Sequence, residues 1–463
     1  MNEETKRPDK EASLAGDPVG RLLFKLAIPA IAAQIINVLY NIVDRMFIGH
    51  IEGIGADALT GVGVTMPVIM AVSAFAYLAG MGGAPRAAIM MGKNQKEEAE
   101  KILGNCFLLL LCLSAALTAV ILVFGRDILM AFGASENTIG YASDYLNIYA
   151  LGTVFVQVTL GLNAFITAQG YAGISMITVL IGALLNTALD PVFIFALDMG
   201  VKGAAVATVI SQAVSALWAV LFLVSGRPSL RLKASSMIPR LRIIGPCVAL
   251  GLSPFVMQFT ESIISVCFNS SLLKYGGDTA VGAMSILATI MQFMWLPMQG
   301  MTQGAQPVTS YNYGAGNYDR VKKSVRLLIF SCLAYSTVLW AVCMFIPEFF
   351  IHFFTNDREL VDAAVWAIRI YMAAALLFGV QAACQQSFIA LGNARTSIFL
   401  AVFRKIIMLI PLIFILPLFM EDKVAAVFLA EPAADLCAVS LTSLLFFRAY
   451  RKLGRQEKKT PPS

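Results

Sequence analysis

The sequence predicts an all-α polytopic membrane protein, with twelve transmembrane helices in two pseudo-two-fold-related six-helix bundles, set as parallel repeats (6+6) around a central cavity. Three observations predict it. Of 463 residues, 58% are apolar and only 13% charged, with a mean hydropathy of +0.76; a soluble domain carries about a quarter charged residues. Twelve apolar runs each reach the ~20 residues a helix needs to cross a ~30 Å hydrocarbon core. The last six runs also repeat landmarks of the first six. A soluble enzyme and a disordered or fibrous chain are excluded by composition alone.

In chain order, residues 1–21 form a polar tail that lacks the apolar core of a signal peptide. Helices 1–6 are expected at 22–49, 58–91, 98–124, 137–168, 172–197 and 201–225, making a first lobe over 22–225. Residues 226–242, weakly apolar and basic, read as a linker. Helices 7–12 follow at 243–274, 279–312, 324–350, 359–391, 396–419 and 424–447, a second lobe over 243–447, and a tail ends the chain at 448–463. Several runs are long enough to require tilt. Pro29, Pro67, Pro191, Pro254, Pro297 and Pro411 interrupt spans, and each frees a carbonyl that lipid cannot satisfy.

Lys and Arg set the orientation. They crowd the N-terminal tail (Lys6, Arg7, Lys10, Arg21, Lys25), the loop after helix 2 (Lys93, Lys96), the linker (Arg227, Arg231, Lys233) and the loop after helix 8 (Arg320, Lys322, Lys323). Arg448 and five further basic residues end the chain. Loops on the other side offer one or none each. Both termini are therefore expected in the cytoplasm, and the net charge of +6 reflects this bias, not a nucleic-acid partner. Eight cysteines without metal-like spacing and two histidines, His50 and His352, leave no basis for a metal or disulfide framework. No cofactor is expected, and a monomer in contact with membrane lipids is.

A shift of 222 residues lays Gly82, Pro85 and Gly92 on Gly304, Pro307 and Gly314, and Gly170 on Gly392. Six spans separate the halves, so both lobes run in the same direction. Parallel repeats of this kind mark secondary transporters, with the substrate site between the halves.

Charges inside spans default to function. Here they are Asp44, Arg45, Asp190, Glu261, Arg369, Arg404, Lys405, Glu431 and Asp435. Asn186 and Asp190 stack on one helical face, and Pro191 frees the carbonyl of Thr187. This is either a proton or small-cation site or a hydrogen-bonded pair fixing helix packing. Arg404 and Lys405 are expected to snorkel to an interface. Glu431 and Asp435 stack four apart and repel, so Arg369 or a bound cation is expected to offset them, unless Glu431 is hydrated at the outer membrane edge.

The ordered set Pro29, Asn37-x2-Tyr40-Asn41-x2-Asp44-x3-Ile48-Gly49, Asn186-x3-Asp190-Pro191 and Gly203-Ala204-Ala205-x2-Thr208 resembles the multidrug and toxic compound extrusion (MATE) family, in its bacterial DinF-like branch. The resemblance spans Pro29 to Asp435. It implies a secondary active multidrug antiporter that exports lipophilic, mostly cationic compounds in exchange for H⁺ or Na⁺ by alternating access. It further implies an ion-coupling cluster of Asp44, Asn186, Asp190, Thr208 and Ala204, with Tyr40 and Asn163 as neighbours; Na⁺, if used, would sit among Asp44, Asn186, Asp190 and Thr208. The NorM-like branch keeps a second-lobe acid pair on helices 7 and 10, and this chain has Glu261 on helix 7, whereas Val361 to Leu391 of helix 10 holds only Asp362, near its start. Gln258, Glu261, Gln292, Gln299, Gln303, Glu431 and Asp435 are expected to line the substrate cavity. A flippase for lipid-linked glycans would want a strongly basic cavity. A membrane enzyme would need a constellation such as HExxH or GxSxG, which is absent, and without GxxxxGK[ST] the driving force is an ion gradient, not ATP.

Overall fold

The computed structural model describes residues 10–352, 354 and 357–457; the expected basic residues Lys6, Arg7, Lys458 and Lys459 lie outside them. Helices dominate, and no strand occurs among the described residues. Among the described residues ten helices are long and apolar enough to span, eleven with a bent pair counted as one span. Dividing the 74-residue run Leu241–Gly314 at its Gly277 kink makes twelve segments, numbered here α1 to α12. The first lobe holds α1 (Val19–Gly49), α2 (Gly55–Gly92), α3 (Lys96–Ala131), α4 (Ile139–Ala168), α5 (Ala172–Ala196) and α6 (Gly200–Val224). A continuous run, Leu241–Gly314, divides at Gly277 into α7 (241–276) and α8 (278–314). Then come α9 (Tyr318–Phe345), α10 (Arg358–Tyr371 with Ala375–Ala390), α11 (Ala394–Phe419) and α12 (Lys423–Leu453).

Local chemistry accounts for the breaks. Gly277 has φ 65° and ψ −160°, a backbone state open to glycine because a Cβ would clash. The ninth span ends earlier than the apolar run suggests, because Pro347 starts a separate turn, Pro347–Ile351. The tenth was expected as one rod but bends by 53°. Its break closes its own backbone bonds, Met372 to Ile368 and Ala375 to Met372, as buried polar backbone requires. Two of the spans with buried charged residues are also irregular. Residues Val192–Ala196 of α5, directly after Pro191, and Phe403–Leu409 of α11, just before Pro411, are π-helical.

Each lobe has its own interior, built around Leu103, Leu162 and Phe165 in the first and Phe268, Leu287 and Phe428 in the second. Large apolar side chains such as Val123, Leu184, Leu418 and Phe419 stay exposed, as a lipid-facing belt does. The lobes meet through glycines. A Cβ on Gly92 would lie 2.0 Å from the Tyr311 carbonyl, and one on Gly314 2.0 Å from the Ile89 carbonyl. The contact is reciprocal under the repeat, because 89 and 311 differ by the same 222 as 92 and 314. Likewise Gly82 abuts Cys247 and Gly251, and Gly304 abuts Leu26 and Ala27.

The short helix Lys10–Gly16 caps this end of the molecule. Leu14, 1% exposed, touches Gly170 of the first lobe. From the second lobe, Asn312 Nδ2 and Arg320 Nη2 donate to the Leu14 carbonyl, both at 3.1 Å, and Arg320 Nη2 donates to the Asp17 carbonyl at 2.7 Å. The glycine contacts and this cap close the seam at the end that carries both termini, where Leu453 of α12 shares a buried cluster with Val321 of α9.

Candidate functional site

Inside the first lobe, α1, α5 and α6 bring Asp44, Asn186, Asp190 and Thr208 together, each 9% exposed or less. Asn186 Nδ2 donates to Asp190 Oδ1 at 3.1 Å and to Thr208 Oγ1 at 3.4 Å. The Asp44 and Asp190 carboxyls lie within hydrogen-bonding reach of each other. Asp44 Oδ1, Asp190 Oδ2 and Asn186 Oδ1 have no donor. Ionised carboxylates only accept hydrogen bonds, so two that face one another need a proton or a cation between them. Arg45 does not serve, since it points outward and is exposed. Three unpartnered oxygens and a hydroxyl suit a proton or a hard monovalent ion.

Tyr40 adjoins Asp44 and lies near Gln212, and Ala204 is buried one turn before Thr208. Asn163 is not a neighbour of this cluster. Its carbonyl accepts from Ser175, and about 16 Å of helix rise separates Ser175 from Asn186. The family resemblance implied proximity, but α4 carries Asn163 to the end bearing the termini. Tyr145 takes that place instead, its phenol beside Thr208 and its ring stacked 6.4 Å from Tyr149. The sequence signal for it was present, because two phenols one turn apart in an apolar span must find polar partners.

The second lobe holds a cluster on the corresponding helices α7, α11 and α12. Arg404 does not snorkel. It is 4% exposed, lies 4.8 Å over the Phe378 ring, and donates through Nε to Asp435 Oδ1 at 2.7 Å and through Nη2 to Glu431 Oε1 at 3.0 Å. Lys405, 5% exposed, donates to Glu261 Oε2 at 2.7 Å. Arg404, not the exposed Arg369, offsets the α12 acids, and Glu431 is buried rather than hydrated at an edge, with 4% exposure. A π-helical register turns consecutive residues 404 and 405 inward, which a 3.6-residue reading of the sequence could not foresee.

Of the expected cavity residues, Glu261 and Gln292 are exposed and Gln258, Gln299 and Gln303 half-buried; Gln299 lies near Tyr77 of α2 in the other lobe. A cavity of about 210 Å³ opens between α2, α3 and α7, with Pro67, Val72, Ile121, Phe259 and Ile263 in its wall. Apart from Ser262, its lining is apolar.

Repeated six-helix lobes, sealed against each other by reciprocal glycines and each holding a buried charged cluster, define a polytopic transporter of the parallel-repeat class. The chain belongs to the MatE family, whose model matches residues 29–192 and again 254–415, once in each lobe. It is similar to the multidrug export protein MepA of Staphylococcus aureus, 26% identical over 434 residues, covering 92% of this chain and 94% of that one. Among solved structures, the MATE multidrug transporter DinF-BH, captured in complex with a dye, is 34% identical, with a TM-score of 0.86, covering 97% of this chain and 98% of the other. A MATE protein in its bent conformation shares the fold, with a TM-score of 0.91 at 23% identity, covering 98% of this chain and all of that one.

Proposed function

We propose that this chain is a secondary active multidrug exporter of the bacterial plasma membrane, with both termini cytoplasmic, in which the Asp44–Asp190 pair couples the outward passage of lipophilic, mostly cationic compounds to the entry of H⁺ or Na⁺. The observation that carries it is the facing of two buried carboxyls with no base between them and with donor-free oxygens around them. The apolar cavity between the lobes supports lipophilic cargo, as do the relatives that export drugs or bind a dye. Loading the pair with a proton or Na⁺ removes the repulsion between the carboxylates; releasing it restores that repulsion. The pair thereby changes the stability of the first lobe with its occupancy, which is what coupling requires.

Asp44→Asn and Asp190→Asn are expected to abolish gradient-driven ethidium efflux from energised cells while leaving insertion and thermal stability near normal. Clamping the pH and sodium gradients separately identifies the ion. Undiminished export by both variants would remove the mechanism.

A further inference from the structure

We propose that the α7–α11–α12 cluster is a second exchange site, where one organic monocation bound to Glu261 displaces the Lys405 ammonium and so expels one proton held between Glu431 and Asp435. The inference goes beyond coupling at Asp44 and Asp190 and uses none of those residues.

The first support is the charge count. Three acids, Glu261, Glu431 and Asp435, meet two bases, Arg404 and Lys405. Tyr371 of α10, within electrostatic reach of all three acids, adds a neutral phenol. Lys405 is engaged by Glu261, so Arg404 alone faces the two buried α12 acids. The net negative charge this would leave inside the lobe is costly, and the resting cluster keeps one proton on the α12 pair.

The second is asymmetric access. The Glu261 side chain is 55% exposed and the Lys405 side chain 7%, so an arriving cation meets the carboxylate, not the ammonium. Lys405 is the tethered cation that already occupies this site.

The third is a second seat for that ammonium. A cavity of about 10 Å³ is lined by Gln381, Gln385, Arg404 and Lys405, roughly the space of one water. The side-chain carbonyl oxygens of Gln381 and Gln385 have no donor, and the residues are 4% and 3% exposed. The Gln385 amide nitrogen donates to Ser253 Oγ and to the Ser397 carbonyl, both at 2.8 Å, which leaves its oxygen free. Two buried acceptors beside a lysine await an ammonium.

The step balances. At rest, Arg404 and Lys405 offset ionised Glu261 and one ionised α12 acid, the other being protonated. With a monocation on Glu261, three positive charges face three carboxylates and one proton leaves. A neutral compound releases none.

The test uses purified transporter in weakly buffered detergent, with tetraphenylphosphonium as the probe, a pH-indicator dye, and triphenylphosphine oxide as the neutral control. The Asp44→Asn/Asp190→Asn background removes any first-lobe contribution. About one proton released per bound tetraphenylphosphonium is expected there, and none with the oxide. Glu261→Gln should weaken binding of the cation. Glu431→Gln should abolish release while the cation still binds, because its resting cluster is already neutral without a proton. Lys405→Met should tighten binding roughly tenfold by removing the resident competitor. Binding without release in the background variant, release undiminished in Glu431→Gln, or no binding of the cation at all would overturn the proposal. Loss of efflux in the background variant with release retained would support both readings, and efflux retained there would sink only the first-lobe one.

Discussion

At the scale of single residues, what distinguishes this chain is how it keeps charges out of lipid. Arg404 donates to both α12 acids, which otherwise repel one turn apart, and all three are buried. Removing one partner of such a group leaves a charge without solvent or counter-ion, at about 3–5 kcal/mol. Arg404→Met is therefore expected to lower the melting temperature in detergent strongly. Arg404→Met combined with Glu431→Gln and Asp435→Asn should recover most of the loss, since no net charge then remains buried. Equal melting of the single and triple variants would contradict this account. The Asn186–Asp190 stack was legible from a spacing of four on one helix. The Lys405–Glu261 and Arg404–Asp435 pairs were not, because their partners lie 144 and 31 residues apart and only packing joins them.

At the scale of elements, glycine decides how closely the lobes approach. Gly82, Gly92, Gly304 and Gly314 leave no room for a Cβ, each facing backbone at 2.5 Å or less, and a side chain there forces whole helices apart. Gly92→Leu or Gly314→Leu is expected to hold the seam open. Efflux should fall to near background, and Cys247, which is fully buried at that seam, should become reactive to a permeant maleimide. An unreactive Cys247 with normal efflux would show that the contact is dispensable. The N-terminal helix reinforces the same seam, because Arg320 from the second lobe holds the Leu14 and Asp17 carbonyls. Arg320→Gln is expected to raise Cys247 labelling modestly, by about 1–3 kcal/mol of lost charge-assisted bonding; labelling unchanged from the parent would separate the strap from closure. The repeated Gly and Pro positions announced these contacts in the sequence. The 53° bend of α10 had no such marker, since neither Gly nor Pro stands at 372–374.

At the scale of the whole molecule, the parallel repeat places equivalent loops on one face. Gly92 and Gly314 touch each other's helices at the end that carries both termini. Lys93 and Lys322, just beyond them, are thus expected to react from the same side of the membrane with an impermeant amine reagent, in sealed inverted vesicles and not in right-side-out cells. Labelling from opposite sides would break the parallel arrangement.

The sequence by itself determined that this chain crosses a membrane many times, that its halves are copies, and that Asn186 and Asp190 share one helical face with a broken carbonyl bond beside them. Those features are local: apolar run length, a fixed offset, and residues one helical turn apart obey geometry that needs no partner. Only the tertiary structure decided that Arg404 and Lys405 turn inward, that Asn163 stands away from the acids while Tyr145 joins Thr208, and which end of the seam is shut. Each depends on the rotation of one helix against another. A π-helical turn or a glycine contact sets that rotation, and lipid solvates every outward apolar face alike, so the hydrophobic pattern of a single span leaves it undetermined.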